Sequence, residues 1–344
     1  MSIKIGKKEI GKNKPTFIIA EIGSNHNQNF DLALKHIDAA RDAGVDAVKF
    51  QTFKAETHIS KYAEMPNYLD NQIKPFDLLK SLEIDHDWHL KLKKHAEDLD
   101  LIFFSSPCDY EAVDNLEKID VPAYKVASFD LPDLDLIKFI ALKKKPIILS
   151  TGLADWIEIQ RAIDVCKKSG NNQVILLQCT SLYPAPERLT NLNAIQNMER
   201  VFGCITGYSD HTIGDTIPLA AVAMGARVIE KHFTLDRNLP GPDHSFGIEP
   251  IELKDLVKKI RLIEEAFGDG QKNGPRYEEI ETYEKFRRSL HVLKDLEQGE
   301  EIQEEHIITK RPGYGIPPYL KQQILGKKLS KSIKKDQWIT WDHL

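Results

Sequence analysis

The sequence predicts an α/β fold, a (β/α)8 TIM barrel followed by a small β-rich module. Short β-branched runs alternate with longer amphipathic stretches, as in a parallel sheet whose crossovers are helices. Eight such units in about 265 residues match the size of a closed barrel better than that of an open doubly wound sheet. A stretch rich in glycine, proline and charge then interrupts the pattern at 269–288.

Each predicted strand is a short apolar run bounded by turn residues. The ranges are 16–21, 47–51, 101–106, 123–128, 146–151, 174–180, 204–209 and 227–232. The first predicted helix begins near Asp31 and ends at Gly44, with a charged residue at one end and a glycine at the other. The barrel is therefore expected at 1–268, a linker at 269–288 and the β-rich module at 289–344, where turn residues are frequent and no long helix is predicted.

Polar side chains stand at the end of every predicted strand. They are Glu21, Lys49, Gln51, Ser105, Ser106, Lys125, Ser128, Ser150, Thr151, Gln178, Thr180, Ser209, His211, Glu230 and His232. A barrel gathers all strand ends around one mouth, so these residues are expected to converge on one pocket. Strands that simply end at the surface are the alternative, but Lys49 and Lys125 lie inside apolar runs. Burial of these lysines would require an anionic partner, for which Glu21, Asp46 and Asp130 are candidates.

Composition argues for small-molecule chemistry. The 47 basic and 52 acidic residues nearly balance and form no long run of one sign, so no nucleic-acid footprint is present. The four cysteines have no close paired spacing and predict reduced thiols in a cytoplasmic protein. The longest early apolar stretch is much shorter than the roughly 20 residues of a membrane span, so neither a membrane nor export is expected.

His211 and His232 end the last two predicted strands, which are neighbours about 4.8 Å apart in a sheet. Such a pair could share a divalent metal, and two imidazoles with open positions for oxygen ligands suit manganese or a similar ion. No HExxH motif or Cys-His zinc cluster is present, so ordinary buried histidines remain the alternative. Asp210 and Glu230 are candidate partners of the two rings.

Two lysines and several hydroxyl groups in one pocket suit a small phosphorylated carboxylate, whose anionic groups need donors and positive charge. The loop 240–244, PGPDH, could aim Asp243 at a ligand, because proline and glycine fix a tight turn; a surface turn is the alternative. No GxGxxG or Walker motif supports nucleotide binding.

The order of nine segments resembles that of sialic acid synthases. The segments are FIIAEIGSNHN, VKFQTF, FFSSP, YKVASFD, ILSTG, QCTSLYP, GYSDHTIG, IEKHFTLDRNLPGPDHSF and KRPGYGI. The resemblance covers essentially the whole chain, and the C-terminal segment 289–344 is similar to the antifreeze-like (SAF) module of that family. The family includes N-acetylneuraminate, legionaminic and pseudaminic acid synthases and spore-coat relatives.

The resemblance implies an enzyme that condenses phosphoenolpyruvate with an open-chain N-acylated sugar, giving a nine-carbon 2-keto acid and phosphate. The sugar would be N-acetylmannosamine or a 2,4-diacetamido-2,4,6-trideoxyhexose. Glu21 would position or deprotonate the attacking water. His211 and His232 would hold the metal, expected to be Mn²⁺, with Mg²⁺ or Co²⁺ as alternatives.

The resemblance also implies the substrate contacts. Phosphoenolpyruvate would be bound by Lys49, Ser106, Lys125, Ser128, Ser150 and Ser209. The sugar would face Gln51, Tyr183 and Asp243, and Arg311 would reach it from the partner chain of a domain-swapped homodimer. Ser181 would contact either substrate from a position where several members have asparagine. Ser106 and Asp130 replace the commoner threonine and glutamate and keep the chemical group.

Two other functions are compatible with the residues. A barrel aldolase could use Lys125 as a Schiff-base nucleophile. A glycan-binding protein without catalytic activity could use the C-terminal module as its recognition surface. Glu21, His211, His232 and the two lysines argue against the second alternative, since binding alone does not require them.

Overall fold

The computed structural model describes residues 2–64 and 73–344. The chain divides into two compact units, Met1–Gly268 and Asp269–Leu344. Within the described ranges, no helix is both long and apolar enough to cross a membrane.

The first unit is built on a closed barrel of eight parallel strands, which confirms the predicted fold class. The strands are β3 Phe17–Gly23, β4 Ala47–Thr52, β5 Ile102–Pro107, β6 Tyr124–Val126, β7 Ile147–Ser150, β8 Val174–Cys179, β9 Ile205–Asp210 and β10 Val228–His232. They follow one another around the barrel in chain order, and β10 pairs with β3 to close it. All strand carboxyl ends therefore meet at one mouth.

Ten α-helices are described in this unit. They are α1 Phe30–Ala43, α2 Ala55–His58, α3 Pro75–Lys80, α4 His86–Asp98, α5 Tyr110–Lys118, α6 Leu134–Leu142, α7 Trp156–Lys168, α8 Asn193–Phe202, α9 Thr216–Ala223 and α10 Pro250–Phe267. Asn29 caps α1 by accepting from the Leu32 amide, and Gly44 ends it with a φ of 84°, a conformation that favours glycine. The larger apolar core lies between these helices and the barrel.

A hairpin that was not predicted precedes the barrel. Strands β1 Ser2–Ile5 and β2 Lys8–Gly11 are antiparallel, and Ile3, Ile5 and Ile10 are buried with the interior side chains near the starts of the barrel strands. The polar composition of the N-terminal segment hides this role, since only alternate residues face inward. The hairpin thus contributes to the apolar filling of the barrel interior.

Inward-facing residues follow a period of two along each strand. In β3 the series is Phe17, Ile19 and Glu21, and in β10 it is Val228, Glu230 and His232. Each series begins with apolar side chains and ends with polar ones, because alternate residues of a strand share a face. The barrel therefore has an apolar lower part and a polar layer at its carboxyl end.

Three buried histidines predict a loss of stability in acid. Burial lowers the pKa of each of His26, His36 and His89 from 6.5 to about 4. The unfolded chain therefore binds protons that the folded chain does not bind, and stability is expected to fall as the pH drops from 6.5 towards 4. Each histidine contributes a slope of about 1.4 kcal/mol per pH unit inside that window.

Urea unfolding at a series of pH values measures this slope. His36→Leu is expected to make it shallower, whereas His95→Gln, at a partly exposed site beside Asp38, serves as the control. An unchanged slope in His36→Leu would contradict the assignment.

The second unit contains α11 Ile280–Phe286, β11 Ser289–Val292, β12 Ile307–Lys310 and α12 Lys321–Ile324. Strands β11 and β12 are antiparallel, in keeping with the predicted β-rich module. Its core is formed by Leu290, Val292, Leu296, Ile302, Ile307, Ile316, Ile324, Leu329, Ile333 and Ile339. The segment predicted as a linker carries α11.

Candidate active site

Polar strand ends line one cavity at the barrel mouth. Twelve of the fourteen predicted site residues lie in its wall: Glu21, Lys49, Gln51, Ser106, Lys125, Ser128, Ser150, Tyr183, Ser209, His211, His232 and Asp243. The expectation that every polar strand end would converge there is corrected by the side-chain period. Four strand-end residues do not line the cavity and make hydrogen bonds elsewhere. Ser105 bonds to Thr52, while Thr151, Gln178 and Thr180 donate to the carbonyls of Leu177, Thr190 and Leu189.

Two carboxylates and two lysines form a buried network in this cavity. Lys49 Nζ lies 2.8 Å from Glu21 Oε2 and 3.6 Å from Glu230 Oε1. Lys125 Nζ lies 3.8 Å from the same Glu230 oxygen. Glu21 is thus the partner of Lys49 from among the predicted candidates, and Glu230 is the carboxylate nearest to Lys125. Asp46 pairs instead with Lys8 and Arg261.

The network shifts the pKa values of its two carboxyl groups in opposite directions. Burial, together with the nearby Glu230 charge, raises the pKa of Glu21 against the opposing effect of Lys49. Burial also disfavours the charged form of Glu230, but Lys125 and Lys49 outweigh it and lower the pKa of that carboxyl. Neighbouring carboxyl groups with opposite pKa shifts can play different acid and base roles.

The pKa values of the two lysines are shifted in opposite directions. Burial disfavours the charge of Lys49, but Glu21 and Glu230 outweigh that effect and raise the pKa of its ammonium group. Burial lowers the pKa of Lys125. Lys49 is therefore a fixed cation, whereas the charge of Lys125 depends more strongly on an anion beside it.

Hydroxyl groups surround the lysines. Lys49 Nζ donates to Ser106 Oγ at 3.1 Å, and Lys125 Nζ donates to Ser150 Oγ at 2.6 Å. Ser209 Oγ donates to Glu230 at 3.1 Å, and the Gly152 amide donates to Ser128 Oγ at 3.1 Å. This concentration of donors and positive charge suits an anionic ligand with several oxygen atoms.

Ser181 does not line the cavity, although it lies beside its wall. A Cβ built on Gly152 would be 2.5 Å from Ser181 Oγ and 2.9 Å from Ser128 Oγ, so a side chain at position 152 would displace these hydroxyl groups. Ser181 Oγ is buried without a hydrogen-bond partner among the described residues. Arg311 belongs to the second compact unit, where its guanidinium lies 5.5 Å from the centre of the Phe286 ring.

His211 and His232 lie side by side in the cavity wall, with ring centres 5.4 Å apart. The Nδ1 atom of His211 donates to the Thr180 carbonyl at 2.7 Å, which leaves the lone pair of its other nitrogen free. Nδ1 of His232 is buried without a hydrogen-bond partner among the described residues and lies 3.5 Å from Asp243 Oδ2. Burial lowers the pKa of both rings, so both are neutral at pH values near 7.

Two neutral imidazoles with an unpartnered buried nitrogen fit a divalent cation, since metals bind the neutral ring. Asp243 is held nearby in a loop where Gly241 has a φ of 145° and a Cβ would lie 2.8 Å from the His244 ring. Burial raises the pKa of Asp243 to about 7, with Glu21 as a further cause. The carboxyl can therefore exchange a proton near neutral pH.

A second ion pair connects the strands that carry these histidines. Lys231 Nζ lies 2.5 Å from Asp210 Oδ2 and donates to the Thr212 carbonyl at 2.7 Å. Both charged residues are almost fully buried, and they are opposite each other in the register of β9 and β10. Alternation places them on the face opposite His211 and His232. Asp210, considered as a histidine partner from the sequence, instead ties the two strands together.

Glu230, one of the polar strand ends expected at the pocket, does line the cavity. Several other cavity residues were not among the predicted strand ends: Ser24, His58, Cys108, Asp130 and Cys179. Counting in steps of two from Leu177 would have found Cys179. His58, Cys108 and Asp130 follow no single strand pattern, since they come from the end of α2, the segment after β5 and the turn after β6.

Relatives cover nearly the whole chain. An N,N'-diacetyllegionaminic acid synthase of Campylobacter jejuni is 43% identical over 95% of this chain and 99% of its own length. A pseudaminic acid synthase of the same species is 37% identical over 93% of this chain and 94% of its own length. The crystal structure of a sialic acid synthetase from Leptospira borgpetersenii in complex with citrate has a TM-score of 0.74 and 37% identity, covering 82% of this chain and 95% of that one.

Family profiles agree with these relatives. The NeuB family profile matches residues 36–272, and the SAF domain profile matches residues 287–344. The first match alone covers more than half of the chain, and it includes the strands that form the cavity from β4 onwards. This chain therefore belongs to the NeuB family and ends in a SAF domain.

Proposed function

We propose that this protein is a nonulosonic acid synthase that joins phosphoenolpyruvate to an open-chain N-acylated sugar aldehyde and releases phosphate. The observation that carries the proposal is the placement of a buried two-lysine, two-carboxylate network beside a pair of neutral histidines in one cavity. The relatives named as legionaminic, pseudaminic and sialic acid synthases support the same class of reaction.

Phosphoenolpyruvate would be held by the lysines and the surrounding hydroxyl groups. Lys49 and Lys125 offset its negative charge, and Ser106, Ser128, Ser150 and Ser209 offer further polar contacts. Because Lys125 has a lowered pKa, an arriving anion stabilises its ammonium form. Binding of the substrate therefore supports the charge state that the site needs.

The reaction forms a bond between the third carbon of phosphoenolpyruvate and the aldehyde carbon. A water molecule adds its hydroxyl group to the second carbon, and the aldehyde oxygen takes up a proton to become a hydroxyl group. The second carbon then becomes a ketone as phosphate leaves by cleavage of the C–O bond. Glu21 accepts the proton of that water, and Gln51 Nε2 donates to Glu21 Oε1 at 2.8 Å, which fixes the carboxylate in position. A divalent cation held by His211 and His232, which we expect to be Mn²⁺, would supply Lewis-acid polarisation of the aldehyde oxygen.

A phosphate-release assay tests the proposal directly. The protein is supplied with phosphoenolpyruvate, Mn²⁺ and a panel containing N-acetylmannosamine and 2,4-diacetamido-2,4,6-trideoxyhexoses. We expect phosphate release with at least one sugar, and its abolition by a chelator with recovery when Mn²⁺ is restored. If no sugar of the panel elicits phosphate release, the synthase proposal fails and a glycan-binding role is favoured.

Lys125 also supports a second candidate, a Schiff-base aldolase. Its ammonium group is buried and its pKa is lowered, as a nucleophilic amine requires. Borohydride trapping in the presence of pyruvate, followed by mass spectrometry, separates the two. The synthase proposal expects no adduct on Lys125, and an adduct there that is absent from Lys125→Arg would favour the aldolase.

Arg311→Ala is expected to raise the Michaelis constant for the sugar by about tenfold to a hundredfold, since a hydrogen bond from a charged group contributes about 1.5–3 kcal/mol. Turnover and the constant for phosphoenolpyruvate should change little if Arg311 of one chain contacts the N-acyl group in the other chain of a homodimer. Initial-rate kinetics with each substrate varied separately measure these constants. Lys310→Ala, at the preceding residue, which pairs with Asp336, is the control. An unchanged sugar constant in Arg311→Ala would contradict this contact.

A further inference from the structure

Three potential metal ligands lie together in the cavity wall, away from the histidine pair. They are His58 at the end of α2, Cys108 just after β5 and Asp130 in the turn Ser128–Asp130. One ligand atom from each lies within 4.8 Å of the other two. Among the described residues, this is the group of three histidine, cysteine or acidic side chains whose ligand atoms all lie within 4.8 Å of one another.

Within the described ranges, these three side chains have few hydrogen-bond partners. The Cys108 thiol and a His58 ring nitrogen both lie within 4.8 Å of an oxygen of the Asp130 carboxylate. Cys108 Sγ also makes a long contact of 4.0 Å with the Ser106 carbonyl. The His58 ring stacks on the Phe53 ring with ring centres 5.7 Å apart. This stacking does not occupy the nitrogen atoms of His58. The donor atoms are therefore available to a common ligand.

A sulfur, a nitrogen and an oxygen donor form a set that differs in kind from two imidazoles. Zinc binds cysteine, histidine and carboxylate ligands in tetrahedral geometry, and sites with three protein ligands leave the fourth position open. Sulfur donors also select borderline and soft cations over manganese and magnesium. Because all three residues line the cavity, the open position would face into it.

We propose that His58, Cys108 and Asp130 form a zinc site that is separate from His211 and His232. The fourth coordination position of this zinc site opens into the cavity. Binding replaces the S–H bond of Cys108 with a zinc–sulfur bond and releases the thiol proton to solvent, with no change of oxidation state. Zinc at this site lies beside Ser106 and Ser128. On the basis of the proposed function, it would therefore inhibit the enzyme competitively with phosphoenolpyruvate.

Cobalt is a suitable spectroscopic probe, because Co²⁺ enters zinc sites and a cobalt–thiolate bond gives a charge-transfer band in the near ultraviolet. The histidine pair contains no sulfur and cannot give this band. The intact protein with Co²⁺ alone is expected to show the band and to lose it when Zn²⁺ is added. The band should persist in His211→Ala.

Matched variants identify the ligands. Cys108→Ser is expected to abolish the band, and His58→Ala to weaken zinc binding at least about tenfold, the minimum loss expected even for residues that only support a ligand. His58 is exposed, so its replacement leaves the core unchanged. Cys179→Ser removes another cysteine of the same cavity and should leave the band intact.

A missing band in the unmodified protein, its persistence in Cys108→Ser or its loss in Cys179→Ser would overturn the zinc site. These measurements need no turnover, so they are independent of the proposed function. Zinc binding without competition against phosphoenolpyruvate would leave the metal site standing and would contradict the proposed position of that substrate.

Discussion

Glu21→Gln is expected to reduce turnover by at least about a hundredfold, the usual contribution of a positioned acid or base. The amide keeps the shape of the side chain and can still contact Lys49 and Gln51, but it cannot accept the proton of the attacking water. Binding of phosphoenolpyruvate should be largely retained, because its charge is offset by the lysines. Turnover from phosphate release and binding from calorimetry separate these effects.

The pH profile adds a second test of the same residue. Burial raises the Glu21 pKa, and the proposed mechanism requires its ionised form, so activity should fall as the pH drops through this raised value. Glu97→Gln, which removes a surface carboxylate paired with Lys93, should leave turnover unchanged. Near-normal turnover in Glu21→Gln would remove Glu21 from the mechanism.

Lys231→Met is expected to destabilise the barrel by about 3–5 kcal/mol, because it leaves Asp210 buried without its cationic partner. Methionine retains most of the side-chain volume, so the change is mainly one of charge. The double variant Asp210→Asn, Lys231→Met should recover much of the loss, since no uncompensated charge remains. Urea unfolding of the single and double variants measures these differences.

The exposed pair Lys14 and Glu9 provides the comparison. Lys14→Met should cost no more than about 1 kcal/mol, as is usual for exposed ion pairs. A similarly small loss in Lys231→Met would show that the buried pair does not hold β9 against β10. The two histidines would then depend on other contacts for their spacing.

The barrel was predictable because its signal is local and repeated. Series such as Phe17, Ile19 and Glu21 show both the strand and the level at which its inward face becomes polar. Lys49 and Lys125 were recognisable as buried charges because they interrupt apolar runs. Their partner Glu230 was harder to assign, since it lies on β10 and reaches Lys49 only when the barrel closes.

Other features had weaker signals or none. Ile3, Ile5 and Ile10 do alternate around a two-residue Gly6-Lys7 turn, but lysines dominate the composition of that segment. The proximity of His58, Cys108 and Asp130 depends on three connections between strands and helices, whose relative positions no spacing rule gives. Contacts of this kind are set by tertiary structure, so coordinates are needed to find them.

The hairpin isoleucines and the apolar residues of the lower barrel affect how small molecules reach the cavity. They close its lower end with apolar side chains, which polar molecules do not cross. Under the proposed function, both substrates and the products would therefore use the opening at the carboxyl ends of the strands. The substrate that binds deeper in the cavity would then have to enter before the other.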